Sequence, residues 1–144
     1  MVDRGSPYLS EETADLFPDA MSREFWDRCA RHELAFQRCE GCGTFRNPPG
    51  PLCHVCRSTE ARWSPVGGEG SVYSFTVVTH AVHPALLERI PFNVSLVEFP
   101  DAPGVRLITN VVDASPDELA IGMPVRVHWE DLSNGTTLPR FEKA

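Results

Sequence analysis

Four of the five cysteines form two Cys-x-x-Cys pairs, Cys39-Glu40-Gly41-Cys42 and Cys53-His54-Val55-Cys56, with ten residues between them. This is the spacing of a four-thiolate zinc site. Each pair closes a tight knuckle: the first sulfur binds, the chain turns, and the second sulfur binds from the same side. Gly41 and Gly43 suit such turns, because glycine takes positive φ at no steric cost. Four thiolates leave no position open for water or substrate. The predicted role of one Zn2+ per chain, held by Cys39, Cys42, Cys53 and Cys56, is therefore structural. His54 lies inside the second knuckle and is an alternative ligand that four cysteines in register do not require. The segment is too short and too poor in apolar residues to bury a core of its own. Metal binding must supply its folding energy, roughly 10 kcal/mol or more.

Disulfides would need an oxidising compartment, and a thioredoxin-like redox centre would use a single Cys-x-x-Cys. The N-terminus does not read as a secretory signal, since Asp3, Arg4 and Glu11 interrupt its first apolar run. The expected location is cytoplasmic. Cys29 stands outside the knuckle register and reads as a buried apolar residue.

Beyond the cysteines, residues that could do chemistry are scattered. His80 and His83 bracket Ala81-Val82 in a loop ending at Pro84, and no third metal ligand lies near them in sequence. Serines 71, 74, 95, 115 and 133 show no nucleophile elbow, and residues 71–144 contain no cysteine. Gly67-Gly68-Glu69-Gly70 precedes a strand rather than a helix, so it matches neither phosphate-binding fingerprint. No catalytic residues are assigned, and the chain by itself is not expected to be an enzyme.

The elements that must hold these residues follow from patterning. Residues 1–36 read as an extended arm, with a short turn near Glu11 to Leu16, and then a helix. Asp19 or Ser22 caps that helix, which runs through Arg23 to Arg31. Phe25, Trp26 and Cys29 share one of its faces, which packs either on the chain's own core or on a partner. Residues 37–66 form the zinc ribbon. Leu34-Ala35-Phe36-Gln37-Arg38 alternates apolar and polar as a strand leading into the first knuckle, and Ala61 to Val66 is its counterpart after the second. Gly67 to Gly70 reads as a hinge.

Residues 67–144 are all β in character. Ser71 to Thr79, Phe92 to Phe99, Val105 to Val112, Pro124 to Glu130 and Thr136 to Phe141 are runs of strand length. Pro100 to Gly104 and Asn134-Gly135 supply turns, and Ser115 to Leu119 supplies one helical turn. Five strands with a short helix between the third and fourth predict a Greek-key barrel of the OB type; a six-stranded or open barrel fits almost as well. Ligands of OB barrels meet the loop between the first two strands, so His80 and His83 are candidates for ligand contact.

Composition weighs against two classes of partner. The chain is 42% hydrophobic and 23% charged over 144 residues, with no stretch approaching a membrane span. The formal charge is −7. Residues 36–66 carry Arg38, Arg46, Arg57 and Arg62 against Glu40 and Glu60, so four thiolates around Zn2+ bring the ribbon near neutrality. Phosphate-backbone affinity needs clustered cations, and none is visible. A nucleic-acid-binding ribbon/OB module is therefore the weaker alternative.

The sequence resembles the rubredoxin-like zinc-ribbon/OB-fold proteins that accompany acyl-CoA enzymes, long catalogued as a domain of unknown function. The resemblance runs over nearly the whole chain. It includes Phe25-Trp26, Leu34 to Gly43 with Pro48-Pro49, Cys53-His54-Val55-Cys56 and Trp63. It continues through Gly68 to Thr76, Pro91-Phe92-Asn93-Val94 with Leu96-Val97-Glu98, and Ile121 to Val125. It implies a non-catalytic subunit that binds a thiolase-fold enzyme (a thiolase, acyl-CoA synthase or retro-aldolase), helps complete its acyl-CoA site, and in some members serves sterol side-chain degradation. A hotdog-fold enoyl-CoA hydratase is the alternative partner. On this view Phe25 and Trp26 of the helix, with Phe45 and Arg46 of the ribbon, are expected to form the partner contact, because buried Trp and Arg are the usual interface anchors.

Overall fold

The computed structural model describes residues 6–144. The helix α1 spans Arg23–Cys29, and the Asp19 carboxylate accepts the Ser22 N–H at 2.7 Å just before it. It ends earlier than the sequence predicted. His32 adopts φ 58°, which turns the chain out of the helix and into the ribbon. Phe25 and Cys29 face inward and are buried, so the apolar face of α1 covers the chain's own core.

The ribbon is a three-stranded antiparallel sheet in the order β2-β1-β3, with β1 at Ala35–Cys39, β2 at Phe45–Arg46 and β3 at Ala61–Pro65. Alternation along β1 sends Phe36 and Arg38 to one face and Gln37 to the other. Phe36 is fully buried, and Arg38 lies over the Phe45 ring at 4.8 Å.

The second sheet runs β6-β5-β4-β7-β8, with β4 at Glu69–Val78, β5 at Phe92–Phe99, β6 at Ala102–Thr109, β7 at Pro124–Asp131 and β8 at Thr137–Lys143. All neighbours are antiparallel. Residue Tyr73 forms a bulge in β4, where the register shifts between Val72 and Ser74; Glu69 to Ser71 pair with β7, and Ser71 to Val78 pair with β5. The sheet curls until its two edges meet at a parallel bridge from Val111 to Phe141, where Phe141 N–H donates to the Asn110 carbonyl at 3.0 Å. This is the mainly β architecture of a ribbon followed by an OB-type barrel.

Three local expectations are corrected. The glycines between ribbon and barrel are no hinge: a Cβ on Gly68 would sit 2.3 Å from Val127 Cγ1, and one on Gly70 would sit 2.5 Å from the Glu98 carbonyl oxygen. They let backbones approach closely. Of the Pro100 to Gly104 turn, only Pro100-Asp101 turns, and Ala102 already pairs with Phe99 in β6. Ser115 to Leu119 closes a single hydrogen-bonded turn, Glu118 N–H to the Ser115 carbonyl, rather than a helix.

The core is continuous. Phe25 stacks on Phe36 at 6.3 Å, Phe36 lies 5.2 Å from Phe99, and Phe99 lies 5.8 Å from Phe141. Helix, ribbon and barrel therefore bury one aromatic column.

Candidate metal centre

The two knuckles project from the ribbon at opposite ends of the loop that carries β2. The four sulfurs of Cys39, Cys42, Cys53 and Cys56 all lie within 4.8 Å of one another. Cys39 Sγ is 3.5 Å from Cys56 Sγ, and Cys42 Sγ is 3.6 Å from Cys53 Sγ. A tetrahedron with Zn–S bonds of about 2.3 Å has edges of about 3.8 Å, so the cluster has the dimensions of a four-thiolate zinc site. Each pair links one knuckle to the other, as a shared ion requires.

The backbone prepares these sulfurs for negative charge. Gly41 N–H donates to Cys39 Sγ at 3.3 Å, and Val55 N–H to Cys53 Sγ at 3.4 Å. The N–H groups of Cys56 and Val55 draw the Cys53 thiol down to about 6. The Cys39 thiol is likewise lowered, first by the Cys42 N–H. At Cys56 the Ser58 N–H pulls the thiol down, but the Cys39 sulfur, desolvation and the Cys42 and Cys53 sulfurs outweigh it and push the thiol up to about 11. Four sulfurs this close cannot all ionise without a cation among them, and a divalent metal supplies that charge. The donor set therefore fits a zinc ion. His54 is exposed and outside the cluster.

The other residues singled out by sequence lie elsewhere. His83 precedes the short 3-10 turn Pro84–Leu86, and its Nδ1 accepts the Ala85 N–H at 3.1 Å; His80 is exposed in the same loop. Among the described residues neither belongs to a metal cluster. Phe25 and Phe45 are buried in the common core, and Arg46 is 8% exposed, with Nε donating to Gln37 Oε1 and Nη2 to the Gly50 carbonyl. Phe25 and Phe45 are thus engaged within the chain, whereas Arg46 also carries a buried Nη1 with no hydrogen-bond partner among the described residues. Trp26 is half-buried, edge-on to Phe25 at 5.0 Å, and it is the part of that expected contact left accessible.

Residues 26–61 match the family described as the ChsH2 rubredoxin-like zinc ribbon domain. Residues 63–130 match the ChsH2 C-terminal OB-fold domain. The chain belongs to the ChsH2 family, also called DUF35. The "Probable enoyl-CoA hydratase alpha subunit" of Thermomonospora curvata is 42% identical over 121 residues, covering 83% of this chain and 37% of that protein. The "3-oxo-4,17-pregnadiene-20-carboxyl-CoA hydratase alpha subunit" of Mycobacterium tuberculosis is 40% identical over 136 residues, covering 88% of this chain and 41% of that protein. This ChsH2-family chain thus spans about two fifths of the length of these relatives. A solved "Ltp2-ChsH2(DUF35) aldolase" superposes with a TM-score of 0.80 at 36% identity, covering 90% of this chain and 98% of that one.

Two polar arrangements of this ChsH2-family chain had no signal in the sequence. His32 Nε2 meets both Asp131 carboxylate oxygens at 3.0 Å while its ring stacks on Trp129 at 5.4 Å. Tyr8 bonds to Asn93 across 85 positions of sequence. Neither set lies in a local motif, so only the fold brings them together.

Proposed function

We propose that this chain is a non-catalytic accessory subunit that binds a thiolase-fold enzyme and helps complete its acyl-CoA site. The observation that carries the reading is the likeness to the ChsH2 chain of the Ltp2-ChsH2 aldolase, which extends over 98% of that subunit. The partner supplies the catalytic groups. Within this chain the one thiol outside the metal cluster, Cys29, is buried and pushed up to about 12 by that burial, which makes it a poor nucleophile. Ser95 is fully buried and donates to Asn93 Oδ1 at 2.8 Å, so it too is shut off from substrate.

In this reading each chain holds one structural Zn2+ on the four knuckle cysteines, in the reducing cytoplasm where thiolates persist. The acyl-CoA is shared with the partner in a hetero-oligomer, and the steroid name of the mycobacterial relative favours a sterol-derived acyl group. No helix of the described residues is long and apolar enough to cross a membrane. A second partner, a hotdog-fold hydratase, is favoured by the two relatives named as hydratase alpha subunits.

Co-expression separates these. The tagged chain is purified with a thiolase-fold aldolase and, in parallel, with a hotdog-fold hydratase, and each eluate is assayed on acyl-CoA substrates. A stable complex with the aldolase, active only when both are present, is the expected result. A complex with the hydratase alone transfers the reading to the second partner. Robust turnover by the isolated chain overturns both.

A further inference from the structure

The N-terminal arm is fastened across the barrel by polar contacts. Arg89, in the loop between β4 and β5, donates to the Pro7 carbonyl at 2.8 Å. Tyr8 N–H donates to the Glu130 carboxylate, near the end of β7, at 2.8 Å. The Tyr8 hydroxyl accepts from the Asn93 backbone N–H at 3.1 Å and from its side-chain amide at 2.9 Å. In the loop between β7 and β8, Ser133 donates to the Glu11 carboxylate from its N–H at 2.9 Å and from its hydroxyl at 2.5 Å. The arm thus bridges the two loops that flank the ligand face of a five-stranded OB barrel.

Asn93 explains what Tyr8 does there. At Asn93, β5 still pairs with β4, but its pairing with β6 begins only at Ser95. The Asn93 peptide therefore has no strand neighbour on the β6 side. Its N–H goes to the Tyr8 hydroxyl and its carbonyl to the Asn110 side chain. Behind this seam Arg140 joins Asn110 to Glu130, with Nε 3.2 Å from the Glu130 carboxylate. Tyr8 fills the gap that a further strand residue would fill. Yet no residue from Ser6 to Phe17 is fully buried, and Glu12, Thr13, Asp15 and Phe17 are exposed. Segments with few buried contacts open far below the cost of global unfolding.

We propose that residues 6–13, which end in the 3-10 turn Glu11–Thr13, are a releasable strap over a seam that accepts a peptide segment, with the Tyr8 hydroxyl as its latch. Release leaves the Asn93 N–H and the Arg89 guanidinium as donors and the Glu130 carboxylate as an acceptor. These are the groups that now hold backbone and side-chain atoms of the strap. A polypeptide segment carrying its own N–H and C=O groups is the matched occupant, held as the strap is held, with Arg89 on a carbonyl and Glu130 on an N–H. The inference stands apart from the accessory-subunit reading, since it concerns the isolated chain.

Hydrogen exchange on the full, zinc-loaded chain and on Tyr8→Phe tests the latch. Amides of residues 8–13 and of Asn93 are expected to exchange at least about tenfold faster than Val97 in mid-sheet. Tyr8→Phe speeds them roughly tenfold more, with the melting temperature unchanged. A fluorescent peptide of residues 4–14 then probes the seam in trans. It is expected to bind Tyr8→Phe saturably and wild type about fivefold more weakly, because the tethered strap competes. Exchange of the strap only together with the whole sheet overturns the latch. Absence of saturable peptide binding to both proteins overturns the peptide-accepting seam.

Discussion

The ring of Phe36, on the central strand of the ribbon, lies 5.2 Å from the ring of Phe99 on the second strand of the barrel. Both rings are buried in the same cluster as Phe25 and Phe141. The metal-bearing part and the barrel are therefore not independently packed units. Phe36→Ala should destabilise the whole chain by about 3–5 kcal/mol, the usual result of truncating a buried phenylalanine. Chemical denaturation followed by far-UV circular dichroism should show one transition shifted as a unit. Two separated transitions, with the barrel's unmoved, would contradict a shared core.

Metal removal should have the same reach. The ribbon brings Leu34, Phe36 and Phe45 to the common core, so releasing the knuckles loosens apolar packing well beyond the cysteines. One zinc per chain by elemental analysis, and a melting temperature lowered for ribbon and barrel alike after chelation or Cys53→Ser, is the expected outcome. A chain with four freely titrating thiols and no bound metal would remove the assignment. A barrel whose melting is unaffected by chelation would keep the metal and remove the coupling.

How much of this was legible in advance depended on how local the signal was. The knuckles were readable because their chemistry is set by spacings of two residues, and β5 because Phe92 to Phe99 carries its own apolar pattern. Gly68 and Gly70 were misread as a hinge, since a glycine that permits flexibility and one that permits close approach look alike in sequence. Only Val127 and the Glu98 carbonyl, both distant in the chain, decide between them. Phe25 and Phe45 were likewise ambiguous: an apolar face announces burial but not against what. The Tyr8–Asn93 and His32–Asp131 pairs left no trace, because single polar residues with remote partners have no period.

Acid should loosen the clasp on the β7–β8 hairpin before the fold is lost. His32 first, and then the Thr137 hydroxyl, hold the Asp131 carboxyl below the usual aspartate range; the Ser133 hydroxyl and N–H hold Glu11 below the glutamate range. A depressed carboxylate stabilises the folded state above its unfolded value, about 3.9 for aspartate and 4.3 for glutamate, and that contribution is lost as pH falls through the lower folded value. The window therefore opens below about pH 4. The Trp129 indole resonance, reporting the His32 stack, should shift there while core methyl resonances stay dispersed. A Trp129 signal that changes only with global unfolding would contradict the clasp.

The last prediction separates core from contact on a single helix. Phe25 is 7% exposed and stacked on Phe36, whereas its neighbour Trp26 is half-buried and meets Phe25 edge-on. Adjacent residues on a helix point about 100° apart, so one aromatic can fill the core while the next stays within reach of a partner. Phe25→Ala should cost about 3–5 kcal/mol in folding stability, as for any well-packed ring. Trp26→Ala should cost less than about 1.5 kcal/mol in stability but, if the proposed acyl-CoA enzyme docks on this helix, more than about 2 kcal/mol in affinity for it, since tryptophan is a common interface anchor. Thermal melting of the isolated chain and titration against the purified partner measure the two quantities independently. If Trp26→Ala lowers the melting temperature as far as Phe25→Ala and leaves partner affinity intact, Trp26 belongs to the core and the helix presents no contact.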